Sequence, residues 1–187
     1  MKADSTSPVV SLRCAVLTIS NRLQAPGSAS ATPNPCVSPP KGDTSGEYLR
    51  TALQEAGHAL QARALCSSDR YQIRKIVSDW IADPAIQVIL STGGTGFARG
   101  KATIPAVTPL MDQLVPGFGE LFRHLSWQDV GTSALQSEAL CGIANDTLVF
   151  CLPGSTGACR LAWEKILQPQ LDSRQRPCNF ATVYGAA

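Results

Sequence analysis

The feature that most restricts the fold is a set of short runs that are apolar on both faces. Each leads through a turn of small residues into a helical pattern. Cys14–Ser20 reads CAVLTIS, Ile86–Thr92 reads IQVILST and Thr147–Pro153 reads TLVFCLP. Polar residues do not alternate within them, so neither face of such a strand can look at water. Strands of this kind belong in parallel sheets covered above and below. Ala59–Cys66 is a further strand.

The segments between the strands supply the covers. TSGEYLRTALQEAGH, from Thr44, places Leu49, Leu53 and Ala56 on one face, with Thr44 or Ser45 as cap and Gly57 as stop. SDRYQIRKIVSDWIAD, from Ser68, carries an apolar stripe of Tyr71, Ile73, Ile76, Val77, Trp80 and Ile81, capped by Ser68 or Asp69 and ended by Pro84. Helices are also expected over Ala106–Leu114, Gly119–Leu125 and Ser133–Ala144, and one long helix after Ser155 or Thr156. The pattern predicts an α/β three-layer sandwich, a mostly parallel sheet with helices on both faces. At 187 residues the chain fits a single domain over 1–187. The Pro-, Ser- and Ala-rich stretch over 22–42 has no periodicity and reads as a mobile loop.

Charge and cysteine usage narrow the function classes. A net charge of +2 is too small to argue for nucleic acid or an anionic membrane as partner. No run of 18 apolar residues occurs, so no segment is expected to span a bilayer. The N-terminal stretch lacks a long apolar core, so no secretory signal is read and a cytoplasmic location is expected. The 7 cysteines are odd in number and none has C-x-x-C spacing, which favours reduced, mostly buried thiols over disulfides or a metal site. His58, behind a helix-ending glycine, reads as solvent-facing or capping.

In parallel sheets ligands sit beyond the carboxyl ends of the strands. The residues leaving those ends are Ser20 and Asn21, then Thr92, Gly93, Gly94, Thr95 and Gly96, then Pro153, Gly154 and Ser155. Glycines let the backbone approach a ligand closely, and amides at a following helix start favour an anion. The turn is neither a Walker loop nor a dinucleotide fingerprint. A tight strand–helix connection with no ligand is the other reading. GDTSG, Gly42–Gly46, adds a helix start with one carboxylate, Asp43, which reads either as a plain cap or as a functional group. Hydroxyl- or glycine-rich helix starts gathered in one domain suit a phosphorylated ligand.

With those residues in view, LTISN, DTSGEYLRTALQEAGH, QVILSTGGTG, PGFGELFRHLSWQDVGTSALQSEALCGIAN, LPGSTGACRLAWEKILQPQLD and RPCNF resemble the molybdopterin adenylyltransferase family of molybdenum cofactor biosynthesis. The resemblance implies a three-layer α/β fold and assembly into trimers or hexamers. It also implies binding of molybdopterin and of ATP with Mg²⁺, and transfer of AMP to the pterin's phosphate. By position it assigns ligand contacts to Gly93, Gly94, Thr95, Gly96, Ser137, Pro153, Gly154 and Ser155 and matches Asp43 to an acidic residue of the family, the candidate catalytic carboxylate. The strand ends and the helix start add Ser20, Asn21, Thr92, Thr44, Ser45 and Gly46 as candidate ligand contacts.

The chain departs from the family pattern in places that matter. The family commonly reads Ser-Asp after the first strand, where this chain has Ser20-Asn21. It reads Asp-Val-Thr-Pro-Glu behind the glycine turn, where this chain has Lys101-Ala102-Thr103-Ile104-Pro105. It reads Ser-Arg where this chain has Ser137-Glu138. Lysine can hold phosphate directly but cannot supply the oxygen ligands of Mg²⁺. The expectation is a protein of this pathway that binds molybdopterin, with adenylyl transfer weak or lost. The alternative is an active Mg-ATP-dependent transferase. The opposite changes at 101 and 138 also raise a swapped Lys101–Glu138 ion pair, against two unrelated surface changes.

Overall fold

The computed structural model describes residues 8–22 and 42–184. The expected loop over 22–42 lies, apart from its two end residues, outside them. A six-stranded sheet runs in the order β2-β1-β3-β6-β5-β4. Its strands are β1 (Arg13–Ile19), β2 (Ala59–Cys66), β3 (Val88–Thr92), β4 (Gln113–Leu114), β5 (Leu140–Ala144) and β6 (Thr147–Leu152). β1 pairs in parallel with β2 and β3, and β3 pairs in parallel with β6. β5 and β4 add an antiparallel edge.

The fully apolar runs become the central strands because both their faces are covered. Every residue of β3 and β6 is buried. On β1, Cys14 and Val16 enter a core under α1 (Thr44–Glu55), α4 (Pro116–Val130) and α5 (Thr156–Ala162). Ala15, Leu17 and Ile19 enter the opposite core, under α2 (Arg70–Ile81) and α3 (Thr103–Val107). One strand thus feeds two cores by its period of two. On α2, Ile73, Ile76, Val77 and Trp80 are buried, whereas Tyr71 is 72% exposed with the Arg74 guanidinium 5.6 Å over its ring.

Several expected elements differ. The helix expected over Ser133–Ala144 is a 3₁₀ turn, Gly131–Gln136, followed by β5. Its Ala, Leu, Gln and Glu favour helix. The deciding contacts are non-local: β5 pairs along β6 through a tight hairpin in which Asn145 and Asp146 take φ of 46° and 60°. The helix expected over Ala106–Leu114 begins earlier, as α3. It gives way to a 3₁₀ turn at Thr108–Leu110 and then to β4. The long C-terminal helix is interrupted by a π-helical turn, Trp163–Leu167, before α6 (Gln168–Leu171). Asp43, rather than Thr44 or Ser45, caps α1. His58 is buried, and its Nδ1 accepts the Leu12 amide at 3.3 Å.

Candidate functional site

The strand order reverses direction between β1 and β3, and their carboxyl ends lie side by side, Thr18 opposite Thr92 and Thr92 opposite Leu152. Residues leaving β1, β2, β3 and β6 therefore meet at one edge of the sheet. They line a cavity of about 460 Å³ formed by Ile19, Ser20, Asn21, Arg22, Ser68, Gly93, Gly94, Arg99, Gly100, Lys101, Gly154 and Ser155. Among the described residues its charged side chains, Arg22, Arg99 and Lys101, are all cationic. A second cavity of about 340 Å³ is lined by Thr95, Gly96, Asp129, Gln136, Ser137, Glu138, Pro153 and Ser155, among others. Ser155 lines both, and the glycine turn passes from one to the other.

The turn is locked by contacts that leave no room for side chains. Gly93 has φ +96°, and a Cβ there would lie 2.2 Å from the Ile19 carbonyl oxygen. Gly94 has φ +65°, and a Cβ there would lie 2.2 Å from Thr103 Oγ1. The Thr103 hydroxyl donates to the Gly93 carbonyl at 2.8 Å, and its amide donates to the Gly94 carbonyl at 3.1 Å. The Gly93 amide donates to Leu152 at 3.0 Å, which ties the turn to β6. Beyond β6, Ser155 caps α5, its hydroxyl accepting the Ala158 amide at 3.2 Å. Asn21 Oδ1 accepts the Ser68 amide at 2.7 Å, so this residue stitches the loops after β1 and β2.

Asp43 is held elsewhere. Its Oδ1 accepts the Gly46 amide, and its Oδ2 accepts the Thr18 hydroxyl and an Arg63 N–H, each at 2.9 Å. The Asp43 and Arg63 side chains are 1% and 5% exposed. Arg63 also donates to Glu47 at 2.7 Å. Glu47, hydrogen-bonded first to Arg50 and then to Arg63, has its pKa lowered to about 2. Thr44, Ser45, Gly46 and Thr92 do not line the two cavities. Thr44 Oγ1 contacts Thr156 Oγ1 at 2.9 Å, which joins the starts of α1 and α5. Thr92 Oγ1 donates to the Pro153 carbonyl at 3.0 Å.

Of the two readings of positions 101 and 138, the ion pair is not formed among the described residues: Glu138 Oε2 instead accepts the Gly96 amide at 3.1 Å. Arg22, Arg99 and Asp129 were not read as site residues. Arg99 follows the glycine turn and could have been found by its place; Arg22 and Asp129 carry no local signal. Of the lost carboxylate positions, 101 lines the cationic cavity, whereas Pro105 is exposed with its carbonyl accepting from Arg74 at 3.2 Å. Thr95 is 7% exposed and its hydroxyl has no hydrogen-bond partner.

A cavity of about 640 Å³ lies at the opposite end of the sheet, where β1, β3 and β6 begin, lined by Arg13, Gln87 and Thr147 among others. It is larger, and its Arg13 guanidinium donates to the Ala85 and Pro84 carbonyls, each at 3.2 Å.

A mostly parallel α/β sheet, with a glycine turn and a cationic cavity at the carboxyl ends of its parallel strands, defines the class: a three-layer α/β domain with a cleft at that edge. The family described as "Probable molybdopterin binding domain" matches residues 15–173, and the chain belongs to it. It is 51% identical over 168 residues to molybdenum cofactor biosynthesis protein B of Escherichia coli K12, covering 90% of each chain. It is 38% identical over 164 residues to the protein of that name in Staphylococcus carnosus, covering 86% of this chain and 87% of that one. Among solved structures, a molybdenum cofactor biosynthesis protein B superposes with a TM-score of 0.75 at 35% identity, over 86% of this chain and 91% of that one. A tungsten cofactor synthesizing protein from Pyrococcus furiosus superposes with a TM-score of 0.69 at 28% identity, over 84% and 91%.

Proposed function

We propose that this protein acts in molybdenum cofactor biosynthesis by holding molybdopterin in the paired cavities at the sheet's carboxyl edge, with adenylyl transfer weak or lost. The observation that carries this reading is the cationic cavity: Ser20, Gly93, Gly94, Gly154 and Ser155 surround it, and Arg22, Arg99 and Lys101 supply its charge. Backbone amides and cationic side chains bind a phosphate without a metal.

Mg²⁺ does not fit the cationic cavity. It takes oxygen ligands in near-octahedral geometry. Among the described residues no carboxylate lines the cationic cavity; Asp129 and Glu138 line the neighbouring one, where Glu138 also accepts the Gly96 amide. Among the described residues no group of three or more His, Cys, Asp or Glu side chains could hold a metal ion. ATP, if it enters, meets Arg99 and Lys101 directly. Asp43 could act on metal or water only by leaving Arg63 and Thr18; held as it is, it positions α1, and through Thr44 the start of α5.

The trimer or hexamer that the resemblance implies goes with this reading, and Trp127, Val130 and Leu135, 54%, 49% and 77% exposed, are apolar surface that such an assembly would cover. No nucleic-acid or membrane partner belongs to it, and no described helix is long and apolar enough to cross a membrane. Free buried thiols at Cys14, Cys66, Cys141, Cys151 and Cys159 suit a reducing cytoplasm.

The test is incubation with molybdopterin, ATP and Mg²⁺, reading calorimetric binding and pyrophosphate release. Binding of molybdopterin with no pyrophosphate above background is the expected result. Rapid pyrophosphate release would make the chain an active adenylyltransferase. No molybdopterin binding would remove the reading altogether.

A further inference from the structure

The two cavities on either side of Ser155 carry unlike charge. One is lined by Arg22, Arg99 and Lys101 without a carboxylate. The other is lined by Glu138 and Asp129. Glu138 does not neutralise its neighbour across the cleft; it lies on the glycine turn, accepting the Gly96 amide at 3.1 Å. A ligand phosphate approaching that amide would displace a carboxylate or meet like charge at close range. The second half of the turn is therefore closed to an anion by the chain's own side chain.

The same cavity keeps other capacity. A carboxylate offers about four lone-pair sites, and the Gly96 amide uses one. Thr95 lines the cavity, is 7% exposed, and has a buried hydroxyl with no partner. A buried hydroxyl left unpaired is costly, and a ligand able to bond to it recovers that cost. Acceptors at Glu138 and Asp129 beside an unpaired hydroxyl suit a flat heterocycle that presents N–H groups along an edge.

We propose that Glu138 fixes the direction in which a bipolar ligand lies across the cleft. The anion goes to the Arg99–Lys101 side and the N–H-bearing edge of an aminopyrimidine ring goes to the Thr95–Glu138 side. The proposal rests on the reading of the cleft as a phosphorylated-pterin site.

The experiment uses the full chain and two probes, inorganic pyrophosphate and unsubstituted pterin, each titrated calorimetrically into wild type, Glu138→Gln and Lys101→Ala. Glutamine keeps the shape and an oxygen for the Gly96 amide but loses the charge. In Glu138→Gln the ratio of pterin to pyrophosphate affinity is expected to fall roughly tenfold, the low end of the worth of a hydrogen bond to a charged group. In Lys101→Ala it is expected to rise. A change below about threefold in Glu138→Gln, a shift in the same direction in both variants, or wild type binding neither probe overturns the proposal. The outcomes separate from those of the preceding test. Molybdopterin binding with an unmoved ratio removes the polarity alone. Shifted ratios without molybdopterin binding remove the pterin pathway and leave the polarity.

Discussion

Substituting Asp43 by Ala should destabilise the protein strongly. The carboxylate accepts from Gly46, Thr18 and Arg63, each at 2.9 Å, with 1% of its side chain exposed. Removing it leaves the Arg63 guanidinium, 5% exposed, with only Glu47 as its anion. Breaking a buried pair from one side costs about 3–5 kcal/mol, because the remaining charge stays buried. Loss of the α1 cap is worth about 1 kcal/mol by itself and is contained in that range, since the same carboxylate serves both. For a chain of this size the shift in Tm is about 6–20 °C. Arg63→Met leaves Asp43 buried with its Thr18 and Gly46 donors and should cost less. The double variant should cost well under the sum of the two, because no unpaired charge remains. Urea unfolding at one fixed protein concentration, followed by the fluorescence of buried Trp80 and Trp163, measures all three. A loss below about 1 kcal/mol for Asp43→Ala, or additivity of the two changes within about 0.5 kcal/mol, would refute the reasoning.

Gly93→Ala should cost about 3–5 kcal/mol or prevent folding, since φ is +96° and the new Cβ would overlap the Ile19 carbonyl at 2.2 Å; Tm and soluble yield report it. His58 has its pKa lowered, first by burial and against the pull of Asp172. Its unfolded form then binds the proton more readily, so stability is complete above about pH 6.5 and falls as pH drops below that value. His58→Gln should flatten that part of a pH–stability curve; an unchanged slope would assign it to another group. Burial pushes the thiols of Cys66 and Cys151 up to about 12 and that of Cys159 up to about 11, while Cys178 is exposed. Among the described cysteines, iodoacetamide at neutral pH should label Cys178 first, by mass spectrometry of the native protein, and prompt labelling of Cys159 would contradict the burial argument.

Much of this architecture was legible in the chain because its causes are local. CAVLTIS, IQVILST and TLVFCLP are apolar throughout, which forces strands covered on both faces. Asp69 caps α2 through the Tyr71 and Gln72 amides, a bond that spans only three residues. The glycines of the turn are required by positive φ and by carbonyls pressed against them. Even the pairing of Ser155 with the glycine turn could be anticipated, because both leave the carboxyl ends of strands of one sheet.

Tertiary structure decided what depends on partners distant in sequence. The stretch 133–144 carries Ala, Leu, Gln and Glu, which favour helix, yet residues 140–144 become a strand because β6 offers a hydrogen-bonding edge and the Asn145–Asp146 turn brings it there. Asp43 looked like a catalytic carboxylate or a cap; Arg63, 20 residues on, and Thr18, 25 residues back, bury it. Glu138 finds its partner 42 residues away at Gly96. Periodicity, capping and turn chemistry act over a few residues and can be read along the chain. The state of a side chain is set by whatever the folded backbone brings within about 3 Å of it, and that is fixed only when the sheet closes.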